Sequence, residues 1–494
     1  MTFSLGPVLY FRGTRGRSWQ LSALVGTAAG DEPAPLEAAG DRVPPQRLAG
    51  RPGRSLWRFD FALPLAERER DHNYRIGGPS WRVRLPAVPG PLHIAYTACN
   101  GSEKGDAWND GEARNERWLH LAARHAERPF HLLLQGGDQL YADPIWREVP
   151  ALADWKKLPS WRRRRACFSP ALAEAVANDY FDRYWELWRQ AELAPILATI
   201  PSLMMWDDHD IFDGWGSWSA KWQGCPTFQG IWAAAREHFA LFQLAARPDD
   251  LPEGFSDRRG SHFGWAYRIG EVGIMAPDLR SERSRDRVLG DGGRRALTAA
   301  LASMADCRQL LLVSSMPLVN PHLTLLEHVF NVMPGHQTWQ DDLVDQWPSA
   351  AHWSEWQQLL RVLVDFSART GVRVTSLSGE IHLGALGVIA SGPTEIYQLT
   401  SSGIVHPPPS PAVATALEWI GARTARVAPD LRVRLLPLPG LGRRFLRARN
   451  WLELDVPSGD ALSATWHSAG PGATPHLSLG QPAPDAITPR AAGF

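Results

Sequence analysis

Short apolar runs that end in glycine or polar residues recur along the chain. Four of them are HIAY (93–96), HLLLQ (131–135), PSLMMW (201–206) and VRVTSL (372–377). Runs of this length, rich in aliphatic residues and closed by turn formers, are typical of buried β-strands. Strand ends are rigid and the loops beyond them are free to carry polar groups, so we expect functional side chains just after these runs.

The spacing of strand and helix patterns predicts three regions. Residues 1–90 mix aromatic and β-branched runs with frequent turn residues, which predicts an N-terminal antiparallel β domain, with an exposed loop over 24–55. Residues 91–410 alternate apolar strands with helical patterns, which favours α/β layering. The Pro-rich segment 406–411 marks a boundary, and 411–494 is expected to be an extension that is partly strand and disordered at its end.

Four helices and one strand pair are predicted in more detail. A repeat of apolar residues at helical spacing indicates helices over 113–128, 170–190, 229–246 and 352–370. Alternating residues in WLELDV (451–456) and LSATWHS (462–468) predict a strand pair that returns to a sheet.

Each predicted strand end carries a short motif with metal-ligand chemistry. The motifs are YTAC (96–99), GGDQLYAD (136–143), MWDDHD (205–210) and LSGEIH (377–382). Asp138 follows two glycines that let backbone approach a metal closely, and a carboxylate there can bridge two cations. Tyr141 lies three residues further on, on the same side of a helical turn. Cys99 and His382 complete a set of donors for which ferric iron is the natural choice.

The remaining donors offer only oxygen. Asp208 and Glu380, with the bridging Asp138, would form a second site suited to calcium, with magnesium or manganese as alternatives. Any single motif of this kind is typical of a turn with a solvated carboxylate. The ordered set of four predicts one dinuclear hydrolytic site.

The order of these motifs resembles that of the calcineurin-like metallophosphoesterases, and most closely the alkaline phosphatase D (PhoD-like) branch. The similarity extends over residues 92–405 and includes APDLRSER (276–283), VSSMP (313–317) and QLTSSGI (398–404). It implies a four-layer αββα sandwich. It also implies a ligand set, namely Cys99, Asp138, Tyr141 and His382 on iron and Asp138, Asp208 and Glu380 on calcium.

Two positions depart from the wider pattern. Ser315 stands where calcineurin-like enzymes place a metal-binding histidine, which favours a harder ion at the second site and is usual in the PhoD-like branch. Glu380 replaces the aspartate of that branch, which adds one methylene to a ligand and leaves the geometry of the second site open.

The function implied is hydrolysis of phosphate mono- or diesters, on a small or polymeric substrate. His209 is placed to protonate the leaving alkoxide, and Arg280 to neutralise the transition-state oxyanion, unless it pairs with Asp278 or Glu282. Two alternatives remain: a dedicated phosphodiesterase or phospholipase-type enzyme, and a metal-stabilised binding protein with little catalysis.

Composition constrains partners and compartment. The chain has 52 basic and 52 acidic residues, so its net charge of zero gives no electrostatic footprint for nucleic acid or anionic lipid. The run WRRRRA (161–166) favours a solvated helix surface over a polyanion site. The four cysteines follow no CxxC spacing, and neither a signal peptide nor a membrane-length apolar run is found, so a cytoplasmic protein is expected. The oligomeric state is not predicted.

Two groups of residues, tryptophans near the motifs and histidines in an insertion, have both a functional and a structural interpretation. Several of the 23 tryptophans lie near the motifs, where they would either wall a cleft for an organic phosphate ester or pack in the core, and packing is favoured. The insertion 320–352 carries four histidines without a compact ligand spacing, which favours a loop over the active site rather than a third metal site.

Overall fold

A computed structural model describes residues 3–103, 111–321, 347, 351–379, 381–457, 461–469 and 474–479. The strands of these residues, in chain order, are β1 (Leu5–Arg15), β2 (Ser18–Ala28), β3 (Leu36–Ala38), β4 (Asp41–Val43), β5 (Gln46–Arg51), β6 (Arg54–Pro64), β7 (Arg70–Ile76), β8 (Ser80–Leu85), β9 (Leu92–Thr97), β10 (Leu132–Gly136), β11 (Ser202–Met205), β12 (Trp265–Ile269), β13 (Val272–Ala276), β14 (Gln309–Val313), β15 (Arg373–Ser378), β16 (Gly384–Ser391), β17 (Thr394–Thr400), β18 (Ala425–Ala428), β19 (Leu431–Leu436), β20 (Phe445–Leu446), β21 (Asn450–Val456), β22 (Ser463–Ser468) and β23 (His476–Ser478).

Helices connect these strands and cover the sheets. They are α1 (Gly111–Glu127), α2 (Ile145–Glu148), α3 (Pro150–Lys157), α4 (Ser160–Arg163), α5 (Pro170–Trp188), α6 (Ala194–Thr199), α7 (Ala220–Gln223), α8 (Pro226–His238), α9 (Asp291–Ser303), α10 (Trp353–Thr370) and α11 (Pro411–Gly421), and a π-helical turn at Phe239–Gln243 continues α8.

Two large sheets form the centre of the fold. The first has ten strands in the order β23-β22-β21-β9-β10-β11-β1-β2-β6-β5, of which β9, β10, β11 and β1 run parallel. The second has the order β12-β13-β14-β15-β17-β16-β19-β18, with β20 beside β16 and β13, β14, β15 and β17 parallel. A small third sheet has the order β4-β3-β7-β8.

The two large sheets pack face to face with helices on their outer faces. On β14, Leu311 and Val313 join the same core cluster as Leu133 of the first sheet. The alternate residue Leu310 joins a second cluster that contains Trp356 of α10. Because side chains of a strand alternate between its two faces, β14 lies between a sheet on one side and a helix on the other. With α1, α5 and α8 packed on the first sheet, this is the expected four-layer arrangement.

The local predictions are largely confirmed. The four apolar runs are β9, β10, β11 and β15, and the WLELDV strand pair is β21–β22, which joins the first sheet beside β9. Three of the helix predictions match within two residues. The fourth, 229–246, begins earlier, at Pro226, and ends in the π-helical turn at Phe239–Gln243.

The segment 24–55 was expected to be a loop, and that expectation is wrong. It contains β3, β4 and β5, of which β5 pairs with β6 in the first sheet. These strands are short and their side chains are largely polar. The sequence therefore lacks the alternation of apolar and polar residues that would reveal them. Among the described residues, no helix is both long enough and apolar enough to cross a membrane.

Candidate metal centre

The motif loops of the first sheet meet because their strands are parallel neighbours. Cys99 follows β9, Asp138 follows β10 and Asp208 follows β11, so the three loops leave the same edge of the sheet. The backbone N–H of Cys99 donates to the carbonyl of Gly137 at 3.1 Å, and that of Asn100 to the carbonyl of Asp138 at 2.8 Å. The first two motifs are therefore fixed to each other through backbone.

Three of the predicted ligands have left-handed backbone. Cys99, Asp138 and His382 have φ of 53°, 56° and 53°, a conformation that costs a residue with a side chain about 1 kcal/mol or more. Among the described residues only two other non-glycine positions share it, Ala39 and Ala245. Such strain persists where surrounding structure imposes it, and here it falls on three of the predicted ligands.

Gly137 lets the loops approach each other. Its φ is 113°, and a Cβ there would lie 2.9 Å from Cβ of Asp207 and 3.1 Å from Cβ of Ser315. Ser315, which replaces the histidine of the wider pattern, donates to Asp207 Oδ1 at 2.7 Å. The serine therefore contacts the third motif by a hydrogen bond.

Asp138 lies at the centre of the cluster. It is buried, and the Sγ of Cys99 lies 3.6 Å from its Oδ2, while its Oδ1 has no hydrogen-bond partner among the described residues. Asp138, Asp208 and His209 each place a ligand atom within 4.8 Å of the others. Burial raises the pKa of Asp138 well above its ordinary value, and the carboxylates of the third motif add to this although His209 opposes it. An ionised Asp138 therefore needs positive charge beside it.

Tyr141 and His382 also present buried, unpartnered atoms. Neither Oη of Tyr141 nor Nε2 of His382 has a hydrogen-bond partner in the described part of the chain. Burial raises the pKa of the Tyr141 phenol, with Cys99 and Asp138 adding to it, and burial lowers the pKa of the His382 imidazole. The path from Asp138 to Tyr141 is an irregular loop rather than the helical turn considered from the sequence.

His209 is held from several sides. Its Nδ1 lies 2.8 Å from Oδ2 of Asp143, and its ring stacks on Tyr141 with centroids 4.4 Å apart. Burial lowers the pKa of His209, but the carboxylates of Asp143, Asp208 and Asp138 outweigh burial and raise the pKa well above its ordinary value. A protonated imidazole next to the candidate ligands is the form that a proton donor requires.

Arg280 is fully buried and faces the acids of the third motif. Its Nε donates to Oδ1 of Asp207, its Nη2 lies 3.3 Å from Oδ1 of Asp208, and its Nη1 donates to the carbonyl of Trp215 at 3.3 Å. The contact with Asp278, one of the two partners considered from the sequence, is made by the backbone N–H of Arg280 at 2.9 Å. The guanidinium thus positions the loop that carries Asp208.

Asp210 is a residue of the site that the motif analysis did not single out. Its carboxylate accepts the backbone N–H groups of Asp138, Leu140 and Asp207 at 2.9–3.0 Å, and the side-chain amide of Gln243 at 2.7 Å. Burial raises the pKa of Asp210 to about 7, against these hydrogen bonds. Because it accepts the N–H of Asp138, Asp210 holds that residue in its left-handed conformation. The feature of the sequence that could have identified Asp210 is its position at the end of the motif MWDDHD.

Glu103 and His406 were also missed. His406 stacks on His382 with centroids 3.4 Å apart, and its Nε2 lies 3.2 Å from Oε1 of Glu103. The same Oε1 lies 3.9 Å from Nε2 of His209. His406 opens the Pro-rich segment that we interpreted as a boundary, so sequence offered no sign that it contacts the site.

The tryptophans near the motifs that the structure describes are buried or half-buried and pack against the core. Trp206 and Trp215 are buried, and their indole N–H groups donate to Asp278 Oδ1 and to the carbonyl of Arg280. Trp146 stacks on Trp155, 5.6 Å away. Glu380, the tryptophans at 108 and 339, and most of the insertion 320–352 lie outside the described residues.

Comparisons with known proteins bear on this site. Residues 111–338 match the family model described as PhoD related phosphatase, a stretch that includes Asp138, Tyr141, Asp208 and His209. An uncharacterized protein of Saccharomyces cerevisiae is 24% identical over 451 residues, and the match covers 74% of this chain. The chain spans 64% of the length of that yeast protein.

Solved structures show the same fold. A structure of PhoD aligns with a TM-score of 0.59 at 14% identity, covering 97% of this chain and 90% of that one. The purple acid phosphatase PPD1 from yellow lupin (Lupinus luteus) seeds aligns with a TM-score of 0.52 at 10% identity, covering 96% of this chain and 74% of that one. The family match over residues 111–338 confirms the resemblance to PhoD-related phosphatases drawn from the motifs, and the two solved structures share the fold of this chain.

Proposed function

We propose that this protein hydrolyses phosphate esters at a dinuclear metal site built on the strand-end loops. The observation that carries the proposal is the group of Asp138, Asp208 and His209, whose ligand atoms lie within 4.8 Å of one another. Beside it stand three buried atoms without a hydrogen-bond partner among the described residues, Asp138 Oδ1, Tyr141 Oη and His382 Nε2. Buried polar atoms in folded proteins are nearly always paired, so such a group of unpaired donors fits ligands of a metal.

The donor types support a division between two ions. Cys99, Asp138, Tyr141 and His382 suit ferric iron, while Asp138 and Asp208, with Glu380, suit calcium, or alternatively manganese or magnesium. Bound ions of this kind supply a water of lowered pKa and positive charge for phosphate oxygens. The burial of Asp138 and Tyr141 keeps these donors dry.

Protein groups supply the remaining chemistry. His209 is oriented by Asp143 and kept protonated by the surrounding carboxylates, so its Nε2 is available to give a proton to the leaving alkoxide. The guanidinium of Arg280 pairs with Asp207 and Asp208, which supports a role in positioning the loop that carries Asp208. This differs from the oxyanion contact expected from the sequence.

The test of the dinuclear site begins with elemental analysis of the purified protein. We expect two metal ions per chain, and turnover of phosphate esters when iron and calcium are supplied. Asp138→Asn removes a shared negative charge, so we expect it to lower occupancy of both sites. Asp154→Asn, which changes an exposed carboxylate paired with Lys157, is the matched control and should keep both ions. Full metal content with near-normal turnover in Asp138→Asn would exclude the bridging role.

The iron assignment has its own test. A phenolate or thiolate bound to ferric ion absorbs visible light by charge transfer, so we expect the protein to be coloured. Tyr141→Phe should shift or weaken that band, whereas Tyr397→Phe, at a tyrosine paired with Glu395 on β17, should leave the spectrum unchanged. A colourless, active protein without iron would refute the assignment while leaving the two-metal proposal intact.

Substrate preference follows from a comparison of aryl phosphate mono- and diesters. Turnover of bis(4-nitrophenyl) phosphate well above that of 4-nitrophenyl phosphate would identify a dedicated phosphodiesterase. Two bound metal ions without turnover of either ester would instead favour a metal-stabilised binding protein.

A further inference from the structure

A basic surface patch lies on the short helices that precede α5 and α8. It comprises Trp161, Arg162, Arg164, Arg165 and Lys221, and we call it the arginine patch. Within it, a cavity of ≈ 550 Å³ is lined by Trp161, Arg164, Arg165 and Lys221. None of these residues belongs to the candidate metal centre. Three cations and one indole therefore face a single concave space.

The cations of the patch lack carboxylate partners. Among the described residues, neither Lys221 nor the arginines of the patch form an ion pair, although Lys157 lies 2.8 Å from Asp154. Some surface arginines elsewhere in the chain do pair, as Arg361 does with Asp430 at 2.6 Å. Concentrated like charge without counter-charge raises the local potential and attracts anions.

Indole rings lie beneath the guanidinium groups of Arg162, Arg163 and Arg164. The guanidinium of Arg162 lies over the ring of Trp161 at 5.0 Å, and those of Arg163 and Arg164 lie over the ring of Trp222 at 5.0 Å and 5.7 Å. The indole N–H of Trp155 donates to the carbonyl of Arg163 at 3.0 Å, which anchors the turn after α4. A guanidinium stacked by its face keeps its N–H edge free for anions, and its ordering is already complete before a ligand arrives.

The placement of lysine adds an independent observation. The chain has four lysines, of which Lys221 lines this cavity and Lys156 and Lys157 precede Trp161 by five and four residues. Lys221 comes from α7 and joins Arg164 and Arg165 in lining the same cavity. The solvated helix surface favoured by the arginine run alone does not account for this convergence of cations from distant parts of the sequence.

We propose that the cavity of the arginine patch binds a ligand that carries two or more clustered phosphate groups. Three lining cations exceed the charge of one phosphate, and stacked guanidinium groups recognise phosphate oxygens by paired N–H donors. The zero net charge of the chain does not oppose this, because binding depends on local potential within about 10 Å in physiological salt. The ligand is either a free polyphosphate or a multiply phosphorylated lipid head group.

Calorimetric titration of the full-length protein with inorganic tripolyphosphate tests the site. We expect saturable binding that weakens as salt is raised. Arg164→Glu with Arg165→Glu should weaken it about a hundredfold, because two attractive contacts become repulsive. Lys221→Glu, a single change on a different helix, should weaken it about tenfold. Asp138→Asn should leave it unchanged, which separates this site from the metal centre.

The control pair is Arg17→Glu with Arg68→Glu, which imposes the same change of charge at two exposed positions in turns between the N-terminal strands. An equal loss of affinity in the control pair would overturn the proposal, because the effect would then be one of net charge. Circular dichroism of each variant establishes whether it is folded. If the Arg164→Glu, Arg165→Glu double variant does not fold, the Lys221→Glu variant alone tests the site.

Vesicle sedimentation separates the two sources of ligand. Vesicles with phosphatidylinositol 4,5-bisphosphate are compared with phosphatidylserine vesicles of equal surface charge. Binding that prefers the bisphosphate lipid and depends on Arg164 and Arg165 supports a lipid head group. Tripolyphosphate binding without vesicle binding supports a free ligand. Failure to bind either one, or equal binding to both kinds of vesicle with no effect of the substitutions, would overturn the proposal.

Discussion

At the residue scale, the contacts around the His209 ring bear on the proton donation that we propose for it. Asp143 lies at its Nδ1 and Tyr141 covers its ring, while Glu103 lies 3.9 Å from its Nε2. These contacts fix the ring and favour its protonated form, and they do so next to the candidate ligand Asp208. These surroundings suit the proton donation that we propose for His209.

We expect His209→Ala to keep nearly all of its metal and to lose activity selectively. Turnover of alkyl phosphate esters should fall by ~10² or more, because an alkoxide leaves poorly without a proton. Aryl esters with good leaving groups should lose much less. Elemental analysis and parallel assays on both ester classes measure this, with His476→Ala on β23 as the control for loss of an exposed imidazole. An equal loss on both classes would argue against proton donation, and loss of a metal would make His209 a ligand.

The sequence predicted candidate ligands but not the residues that hold them in place. Cys99, Asp138 and Asp208 lie two or three positions after apolar runs, so a local pattern was enough to propose them. Asp210 and Arg280 act through partners 70 or more positions away, as in the contacts of Asp210 with Asp138 and of Arg280 with Asp207. No local pattern encodes which buried acid a distant arginine or backbone N–H will meet, so these roles needed the fold.

At the scale of elements, the β21–β22 hairpin joins the C-terminal region to the first sheet through buried charge. Glu453 on β21 lies 3.0 Å from Nε2 of His93 on β9 and 2.7 Å from Nε2 of His467 on β22, and Arg124 of α1 donates to both its oxygens at 3.1 Å. One carboxylate thus connects three elements. Burial raises the pKa of Glu453, but the hydrogen bonds from His467 and His93 outweigh burial and hold the pKa well below its ordinary value of 4.5.

A lowered carboxylate pKa makes this connection depend on pH in a definite direction. Its contribution to stability is full above about pH 4.5, the ordinary value, and is lost as pH falls, because the unfolded carboxylate takes up a proton first. We expect Glu453→Gln to cost about 2 kcal/mol at neutral pH and to flatten the acid limb of the stability profile. Amide hydrogen exchange should increase across 450–468.

Asp455→Asn is the matched control for that substitution. Asp455 lies on the same strand and pairs with Arg128, but both side chains are partly exposed, so its loss should cost less than 1 kcal/mol. Similar exchange in the two variants would show that Glu453 has no special part in holding the hairpin.

At the scale of the whole molecule, the N-terminal strands continue the first sheet. Residues 1–90 were expected to form a β domain of their own, and β3, β4, β7 and β8 do form a separate small sheet. In contrast, β1 pairs in parallel with β11, the strand that leads to Asp208, with Tyr10 opposite Ser202. The aromatic and β-branched runs of the sequence predicted strands in this region, but such a pattern carries no information on which distant strand each will join.

Further contacts join the N-terminal strands to the rest of the chain. The hydroxyl of Tyr74 donates to the carbonyl of Ala198 at 2.7 Å, and Nη2 of Arg12 donates to the carbonyl of Leu244 at 2.5 Å. The buried side chains of β1, β2 and β6 belong to the same core cluster as those of β9 and β10. The N-terminal segment is thus part of the sheet that positions the metal centre.

We therefore expect deletion of residues 1–90 to abolish folding rather than leave an active catalytic domain. It would expose the edge of β11 and the apolar face that β1 and β2 cover, and an unpaired apolar edge promotes aggregation. The intact chain should show a single cooperative thermal transition followed by circular dichroism and by loss of activity. Arg15→Ala is the control, because it breaks only the exposed pair between Arg15 and Glu253 that spans the same two parts of the chain and should change stability by less than 1 kcal/mol. A soluble truncated protein with bound metal and normal turnover, or two separate transitions in the intact chain, would instead establish an independent N-terminal domain.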